Sequence, residues 1–470
     1  MDDKTRKHIL LVLFLGVLMG ALDIAIVAPA LPSIQKFFSV GDRILTWTFT
    51  IYVLFNLVGT PLMAKFSDRY GRRTIYILDV ALFAVGSLIV ALSPAGLFGV
   101  LLAGRALQGF GAGGIFPVAS AVVGDTFPPE KRGSALGLIG AVFGLAFLVG
   151  PILGGIILSF AGWQWLFLIN LPVAAVVIGM GLRQLPATRP AVRLPFDSAG
   201  MVTLGVALAA LAFGLNQMDT QNFFPSLLSL NVLPALLVSI ILLFLFGRVE
   251  RKAQDPVVNL SLFKSRQTVL ASILSAGAGL GEVGMVFIPA LAVAAMPKVV
   301  NEQNASYLLL PVVLAMAIGS PLAGRLLDKL GSKMVVLAGT VLLAAGMLLL
   351  SGGLAYLLGG FIASGIIIGL GLSSLLGAPM RYIMLNEASA EERSAAQGII
   401  TLFTSIGQMV SSAVVGAVAA SMGGGVRGYT SAYLVIGIIA VLMVFLALGL
   451  KNQQQERASQ GRVPSSAIAD

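Results

Sequence analysis

The sequence predicts an all-α membrane protein in which fourteen transmembrane helices form two six-helix bundles plus an inserted two-helix hairpin. Composition and the recurrence of long apolar runs support this fold class. Of the 470 residues, 57% are hydrophobic and 11% are charged, whereas soluble domains average about 45–50% and about 25%. Runs of about 20 apolar residues, enough to cross about 30 Å of hydrocarbon, continue along the whole chain, so a signal peptide does not explain them.

Apolar runs bounded by charged residues, glycine or proline define the predicted spans, which we number 1 to 14 in chain order. The runs do not alternate between apolar and polar residues, as strands of a membrane β-barrel would. The predicted spans lie near 8–32, 44–64, 74–94, 97–124, 133–159, 163–182, 199–217, 228–247, 267–296, 305–324, 334–351, 354–380, 394–421 and 429–450.

Several residue types exclude other classes of function. The chain has no cysteine, which removes disulfides, thiol catalysis and cysteine metal sites. The single histidine, His8, precedes the first apolar run, and no nucleophile–base pair or metal cluster is visible, so we do not expect an enzyme. Residues 109–114 match the dinucleotide pattern Gly-x-Gly-x-x-Gly, but they lie inside an apolar run without a preceding strand. We expect no cofactor.

Lysine and arginine predict the orientation. With the amino terminus inside, 25 of the 30 fall on the inner side, including Arg381, and four fall outside, which is the positive-inside pattern. We therefore expect a multi-pass protein of the plasma (inner) membrane with both termini cytoplasmic. The net charge of +10 then faces anionic membrane lipids and does not indicate a nucleic-acid partner.

The first six and last six predicted spans repeat one unit. The charged segment 65–73, KFSDRYGRR, follows span 2, and the similar GRLLDKLGSK, 324–333, follows span 10. PEKRGSALG at 129–137 and AEERSAAQG at 390–398 precede spans 5 and 13. Duplicated halves with a site between them are typical of transporters. The repeat divides the chain into an N-terminal bundle 1–182, a linker and hairpin 183–252, a C-terminal bundle 253–451 and a disordered cytoplasmic tail 452–470.

These motifs resemble those of the major facilitator superfamily, in its fourteen-span drug:proton antiporter family. The first loop motif carries Ala64 in place of a glycine, and the first-span motif carries Ala25 and Ala28 in place of the usual Thr and Asn. The matching segments are ALDIAIVAPALP (21–32), AKFSDRYGRR (64–73), GRALQGFGAGG (104–114), GPILGG (150–155), WQWLFLINLP (163–172) and DPVVNLSLFKSR (255–266). The resemblance implies the major facilitator fold and proton-coupled export.

The repeated charged segments predict a cytoplasmic gate, because Asp68 and its arginines can pair across the two halves or face the amino terminus of a helix. Simple topology anchoring is the alternative, but arginines alone would serve that purpose. The predicted gate residues are Asp68, Arg69, Gly71, Arg72, Arg73, Asp79, Glu130, Arg132, Asp328, Lys329, Glu391 and Arg393. Asp79 lies in span 3 close to the motif and is expected to pair with its arginines.

Three further charges lie deep within the predicted spans, where each is costly and therefore a functional candidate. Helical rise places Asp23, Arg105 and Glu282 in one layer, facing a central cavity. Arg105 can balance one carboxylate, which leaves the other to exchange protons, so Asp23 and Glu282 are the candidate proton carriers. A static Asp23–Arg105 pair that only stabilises packing is the alternative.

Two further sets of residues complete the predicted site. In span 5, Gly150, Pro151, Gly154 and Gly155 would weaken the helix and let it bend, or would only allow close packing. The cavity candidates are Tyr52, Asn56, Gln108, Phe116, Phe143 and Phe147.

The sequence thus predicts a proton-coupled exporter of lipophilic, cationic compounds, working by alternating access and driven by the proton gradient. Aromatic and acidic residues in one cavity suit such cations. We expect a monomer whose partners are the substrate, protons and membrane lipids. A lipid transporter of the same fold and a non-transporting receptor or scaffold remain open.

Overall fold

The computed structural model describes residues 2–27, 30–40, 42–45, 47–187, 197–219, 222–254, 256–300 and 305–460. These ranges contain helices and no strand. Fourteen helices are long and apolar enough to cross a membrane, so the predicted fold class is confirmed. Part of the predicted linker, 188–196, and the last ten residues, 461–470, lie outside the described residues, as do Ala28 and the side chain of Pro151.

Each observed span overlaps its predicted counterpart. In chain order the spans are Asp3–Val27, Trp47–Tyr70, Arg72–Ala91, Phe98–Thr126, Pro129–Phe160, Trp165–Gln184, Ser198–Leu215, Leu233–Glu250, Arg266–Met285, Tyr307–Leu330, Ser332–Ser351, Leu358–Glu387, Ala390–Ala419 and Gly425–Leu448. Shorter helices are Leu31–Phe38, Asp42–Leu45, Phe223–Leu227, Leu260–Lys264 and Gln453–Gln460.

The repeated charged segments are helical and not open loops. Span 2 continues through Asp68 to Tyr70, and span 3 begins at Arg72, so Gly71 alone separates the two helices. Gly71 has a φ of 99° and its counterpart Gly331 has a φ of 81°, a conformation that glycine adopts without a steric penalty. Each glycine therefore makes a sharp turn that places the charged residues before it at a fixed position.

Spans 9 and 12 are interrupted. Span 9 continues after Phe287 as the short helix Ile288–Ala295, and span 12 breaks at Gly377 before the helix Ala378–Glu387. A proline follows each break, at the first turn of the new helix, where its missing N–H is tolerated. Arg381 therefore lies within span 12, and its prediction as an inner-loop charge is wrong because the helix resumes after the break.

Spans 7 and 8 form the predicted hairpin. Span 7 packs on span 2 of the first half and also touches span 13 of the second half. Trp47 and Phe213 approach with ring centroids 6.3 Å apart, and Leu57 lies in one apolar cluster with Leu204 and Leu208. Span 8 keeps much of its apolar surface exposed, for example Phe244. The hairpin therefore covers the side of the bundle where the two halves meet.

Residues 453–460 form a helix, so the prediction of a disordered tail from 452 is wrong for this part. Glu456 accepts hydrogen bonds from the amide and hydroxyl of Ser332, at the amino terminus of span 11. Gln453 Nε2 donates to the carbonyl of Lys329 at 2.7 Å. Burial raises the pKa of Glu456. These polar contacts, with the carboxylate at a helix amino terminus, hold the tail in place.

Both ends of the described chain lie at the same end of the bundle. Arg6 Nε donates to the carbonyl of Thr126 at 3.2 Å, and Lys451 Nζ donates to Glu387 Oε1 at 2.5 Å. We call this end, which includes residues 65–73, 125–134, 324–333 and 387–395, the latch face.

Candidate functional site

Two aspartates join the halves at the latch face. Asp68 accepts hydrogen bonds from the backbone amides of Ser394 and Ala395, at 3.0 and 2.7 Å. Asp328 accepts them from the amides of Gly133 and Ser134, at 2.8 and 2.9 Å. Asp68 thus binds the first turn of the helix Arg393–Ser421, and Asp328 binds the second turn of the helix Pro129–Phe160. Each carboxylate lies near the amino-terminal end of a helix in the opposite half, where the helix dipole favours an anion.

These two contacts follow the internal repeat. Asp68 and Asp328 occupy equivalent positions in the two charged segments, four residues after Ala64 and Gly324. Their partners also correspond, because the segments 129–137 and 390–398 begin the helices that receive them. We call the Asp68 and Asp328 contacts together the latch. The latch is therefore duplicated with the fold, and one carboxylate contact joins the two halves on each side of the latch face.

Arg72 strengthens one of the two contacts. It pairs with Asp68 and donates from Nε to Asp125 Oδ2 at 3.0 Å. It also reaches the other half, donating to Ser394 Oγ at 2.9 Å and to the carbonyl of Ala390 at 2.8 Å. Asp125 in turn accepts from Arg393 Nη1 at 2.6 Å.

Asp125 was missed in the sequence, although it lies in the last turn of span 4, shortly before the segment PEKRG. Its equivalent in the second half is Asn386, so the repeat did not mark it. Arg72 also has no equivalent arginine in the second half. The corresponding residue there is Ser332, which binds Glu456 of the tail. The two latches therefore share a carboxylate–helix contact and differ in what surrounds it.

Two predicted gate residues, Arg73 and Arg132, make their described hydrogen bonds within their own half. Arg73 donates to the carbonyl of Leu182 at 3.3 Å, within its own half. Arg132 likewise bonds the carbonyls of Phe127 and Gly124. Arg69 lies 5.6 Å from the ring centroid of Tyr70, and Gly71 contributes its backbone turn. The exposed members are Glu130, Lys329 and Glu391.

Asp79 does not pair with the arginines of the motif, so that prediction is wrong. It is fully buried between spans 3 and 4, and neither carboxylate oxygen has a hydrogen-bond partner among the described residues. Gly114 of span 4 leaves room for this carboxylate, since a Cβ there would overlap Asp79 Oδ2. The side chain points into the N-terminal bundle and not towards the loop.

Asp23 and Arg105 form a buried ion pair in the N-terminal half. Arg105 Nη1 lies 2.5 Å from Asp23 Oδ2, and both side chains are fully shielded from solvent. The other carboxylate oxygen, Oδ1, accepts from Gln108 Nε2 and Asn170 Nδ2, each at 3.1 Å. Ser87 Oγ accepts from the same two amides. Spans 1, 3, 4 and 6 all contribute, so the network depends on the folded bundle.

Tyr52 separates this ion pair from the cavity between the halves. Its ring centroid lies 4.3 Å from Arg105 Cζ, and its side chain also lines the cavity. Asp23 and Arg105 themselves are not among the cavity-lining residues. The prediction that this pair faces the central cavity is therefore wrong, because Gln108, Asn170 and Tyr52 enclose it within the bundle.

Glu282 does line the central cavity, which has a volume of about 190 Å³ and lies between the two halves. Its Oε2 accepts a hydrogen bond from Gln408 Nε2 at 2.8 Å, and the residue is partly buried. Of the predicted cavity residues, those that line it are Tyr52, Asn56, Phe116 and Phe143. Gln108 and Phe147 do not, since Gln108 is buried in the Asp23 network and Phe147 is absent from the cavity wall.

Arg381 is a second charged residue of the cavity wall, although the sequence analysis counted it only as an inner-loop charge. It is 4% exposed, and its Cζ lies 3.6 Å from the ring centroid of Phe116 in the opposite half. Nη2 donates to Thr401 Oγ1 at 3.1 Å, and Nη1 lies 3.5 Å from Gln397 Oε1. Nε has no hydrogen-bond partner among the described residues. A cation that interrupts an otherwise apolar span was the missed signal.

The GPILGG segment lies inside an unbroken helix, Pro129–Phe160. A Cβ at Gly150 would lie 2.5 Å from that of Ala25, so spans 1 and 5 are in close contact there. Gly154 is buried, whereas Gly155 has open space beside it. The segment thus serves close packing in this conformation, and its bending stays a prediction.

Comparisons with known proteins agree with this architecture. The family model described as Major Facilitator Superfamily matches residues 13–297 and 283–468. The MFS-type transporter YfiU of Bacillus subtilis is 33% identical, with 86% of this chain and 78% of the relative covered. The multidrug transporter protein MdtP of the same organism is 30% identical, covering 89% and 76%. The crystal structure of the human organic anion transporter MFSD10 superposes with a TM-score of 0.70 at 17% identity, covering 95% of this chain and 100% of that one.

Proposed function

Because this chain belongs to the Major Facilitator Superfamily of membrane transporters, we propose that it exports lipophilic compounds in exchange for protons, by alternating access. The observation that carries this proposal is the position of Glu282 in the cavity between two latched halves. Relatives at about 30% identity include proteins named for multidrug transport and resistance. The proton gradient is the energy source, no cofactor takes part, and one chain acts alone.

Glu282 is the residue that exchanges protons with the cavity. As a carboxylate it attracts a cationic substrate, and when protonated it loses that attraction. Among the described residues, Arg381 is the other charged group that lines the cavity, and the Glu282 carboxylate is held by Gln408 and not by a cation. Substrate and proton therefore compete for one side chain, which is the requirement for antiport.

The Asp23–Arg105 pair supplies a second step behind Tyr52. Protonation of Asp23 would weaken its bond to Arg105. The guanidinium would then be held by the Thr48 carbonyl and Gln108 Oε1, and it already contacts the Tyr52 ring. The groups that face Asp23 are Arg105, Gln108, Asn170 and, through both amides, Ser87. A change in this network would reach the cavity through the Tyr52 ring.

The latch face is assigned to the cytoplasm, because most lysine and arginine residues of the chain lie on that side. In this conformation Asp68 and Asp328 hold that end closed. The cavity then opens to the outside when the opposite end parts, and to the cytoplasm only when both contacts break.

The test is transport in vesicles with an imposed pH gradient, using tetraphenylphosphonium as the lipophilic cation. Wild-type protein is expected to move the cation against the proton gradient and to move protons when the cation is added. Glu282→Gln is expected to lower gradient-driven transport by at least about tenfold, because the amide cannot exchange a proton.

Glu130→Gln is the matched control, since Glu130 is exposed at the latch face, and it should transport normally. Proton movement that persists in Glu282→Gln would refute the role of this residue. Wild-type protein that moves neither protons nor the cation, while binding it, would favour a receptor or scaffold.

A further inference from the structure

Arg381 is a buried cation without a carboxylate partner in the described structure. Its neighbours are a hydroxyl, an amide and an aromatic ring, and its Nε is left unbonded. A buried charge is ordinarily paired, because removing it from water is costly. The other buried arginines of the spans, Arg72 and Arg105, each bind a carboxylate. Arg381 therefore has the bonding capacity for an anion that the protein does not supply.

The position of Arg381 makes that capacity available to a ligand. It lines the central cavity together with Glu282. Thr401 contacts Arg381 and Gln408 contacts Glu282, and these two partners are seven residues apart on span 13. Seven residues are close to two helical turns, so both project from one face and are separated by about 10 Å along the axis.

The wall opposite this pair of charges is apolar and aromatic. Phe116 and Phe143 of the N-terminal half pack with ring centroids 5.1 Å apart and ring planes tilted by 57°, and Phe116 also covers the Arg381 guanidinium. Gly113 and Gly140 add wall positions without side chains. The cavity thus offers a cation, an anion and aromatic surface to one bound molecule.

We propose that Arg381 makes the cavity selective for amphiphilic zwitterions, whose carboxylate binds Arg381 while their cationic group lies towards Glu282. The planar guanidinium can donate from Nε and an Nη group to both oxygens of one carboxylate. This assignment names the substrate class of the proposed export site and rests on that cavity being the binding site. It extends the expected preference for plain lipophilic cations.

The test uses a matched pair of dyes that differ in one group: rhodamine B, a zwitterion with a free carboxylate, and its ethyl ester, a cation. Equilibrium binding to purified protein is measured by fluorescence anisotropy. Wild-type protein is expected to bind the acid at least about tenfold more tightly than the ester, the effect of one additional charge-assisted contact. Equal affinities, or tighter binding of the ester, would overturn the proposal.

Two substitutions test which residue causes the preference for the acid over the ester. Arg381→Gln should remove most of the difference between the dyes by weakening the acid and leaving the ester nearly unchanged. Glu282→Gln should weaken both dyes alike, because both carry the cationic ring system. The matched control Arg251→Gln, at an exposed arginine after span 8, should leave the ratio as in wild type. An Arg381→Gln variant that weakens both dyes equally would show a structural role only.

If Arg381→Gln does not purify in folded form, Arg381→Lys takes its place. It keeps the charge and loses the planar fork, so the acid-to-ester preference should fall by at least about threefold; an unchanged preference would overturn the proposal. Binding equilibria need no proton gradient. A protein that prefers the acid but shows no proton-driven transport would therefore refute the exporter mechanism and leave the zwitterion site standing.

Discussion

Arg105 and Arg381 show how the surroundings of one residue type decide its role. Both guanidinium groups are buried and both lie over an aromatic ring, of Tyr52 and Phe116 respectively. Arg105 is neutralised by Asp23, whereas Arg381 has only neutral contacts. Arg105 therefore already has its counter-charge within the protein, whereas Arg381 can bind an anionic group of a ligand.

The Asp23–Arg105 pair should be strongly coupled in stability. Asp23→Asn leaves Arg105 buried without a counter-charge and should lower stability by about 3–5 kcal/mol. Arg105→Gln should have a similar effect, and the double variant should be more stable than the sum of the two losses predicts, because no lone charge remains. The measurement is a double-mutant cycle: thermal unfolding in detergent of the wild type, the two single variants and the double variant.

Additive losses in that cycle would contradict the ion pair and would favour separate contributions through Gln108 and Asn170. Ser87→Ala is a control for the uncharged part of the network. It removes hydrogen bonds to two amides and leaves both charges paired, so its effect should be smaller than that of Asp23→Asn.

Charges that interrupt a long apolar run could be located within spans from the sequence, whereas a charge that follows a helix break could not. Asp23, Arg105 and Glu282 stand inside unbroken apolar segments and were recognised for that reason. Arg381 follows the Gly377 break, so a rule based on apolar run length placed it in a loop. The contacts of Asp79 could not be predicted, because they depend on which face of span 3 meets the glycines of span 4.

At the scale of elements, the glycines of span 4 explain how three helices pack so closely. A Cβ at Gly109 would overlap the carbonyl oxygen of Tyr52 in span 2. One at Gly111 would lie 2.6 Å from the carbonyl of Asp79 in span 3, and one at Gly113 would lie 2.6 Å from that of Asn56. The Gly-x-Gly-x-x-Gly pattern of residues 109–114 thus follows from alternating contacts with two neighbouring helices, as small residues allow within membranes.

Gly109→Ala should therefore destabilise the bundle by about 1–3 kcal/mol, the usual cost of overpacking. Gly99→Ala, on the same helix, has open space around its added methyl group and should stabilise by up to about 1 kcal/mol through helix propensity. Thermal unfolding in detergent compares the two. Equal effects would mean that the contact between spans 2 and 4 is looser than described.

The existence and order of the spans followed from the apolar runs, but their ends and partners did not. A charged segment that continues as helix, as at Asp68 and Asp328, looks like a loop when only hydropathy is used. The placement of span 7 against spans 2 and 13 was also not predictable. Its apolar surface is similar on all sides, so the sequence does not indicate which helices it meets.

At the scale of the molecule, the duplicated latch makes one conformation depend on two equivalent contacts. Each contact joins a carboxylate of one half to backbone amides near the amino-terminal end of a helix in the other. Such contacts contribute about 0.3–1 kcal/mol each, and up to about 2 kcal/mol when partly buried. Free energies of this size are small enough for the halves to separate during a transport cycle. They are also large enough to favour the conformation that is closed at the latch face.

Asp68→Asn and Asp328→Asn should therefore shift the protein towards a state open at the latch face. The chain has no cysteine, so Ser320→Cys, at a buried cavity position, provides a single reporter for an impermeant maleimide added from the latch side. A loss of about 1 kcal/mol corresponds to about fivefold faster labelling, and the double variant should label faster than either single one.

Glu391→Gln is the control for this experiment, because Glu391 belongs to the same repeated segment but is exposed, and its labelling should match that of the parent. If both aspartate variants label at the parent rate, the latch face is held by other contacts, of which the Arg72–Asp125–Arg393 cluster is the first to remove. Because that cluster exists in only one of the two repeats, a larger effect of Asp68→Asn than of Asp328→Asn would show that Arg72 makes the two sides of the latch unequal.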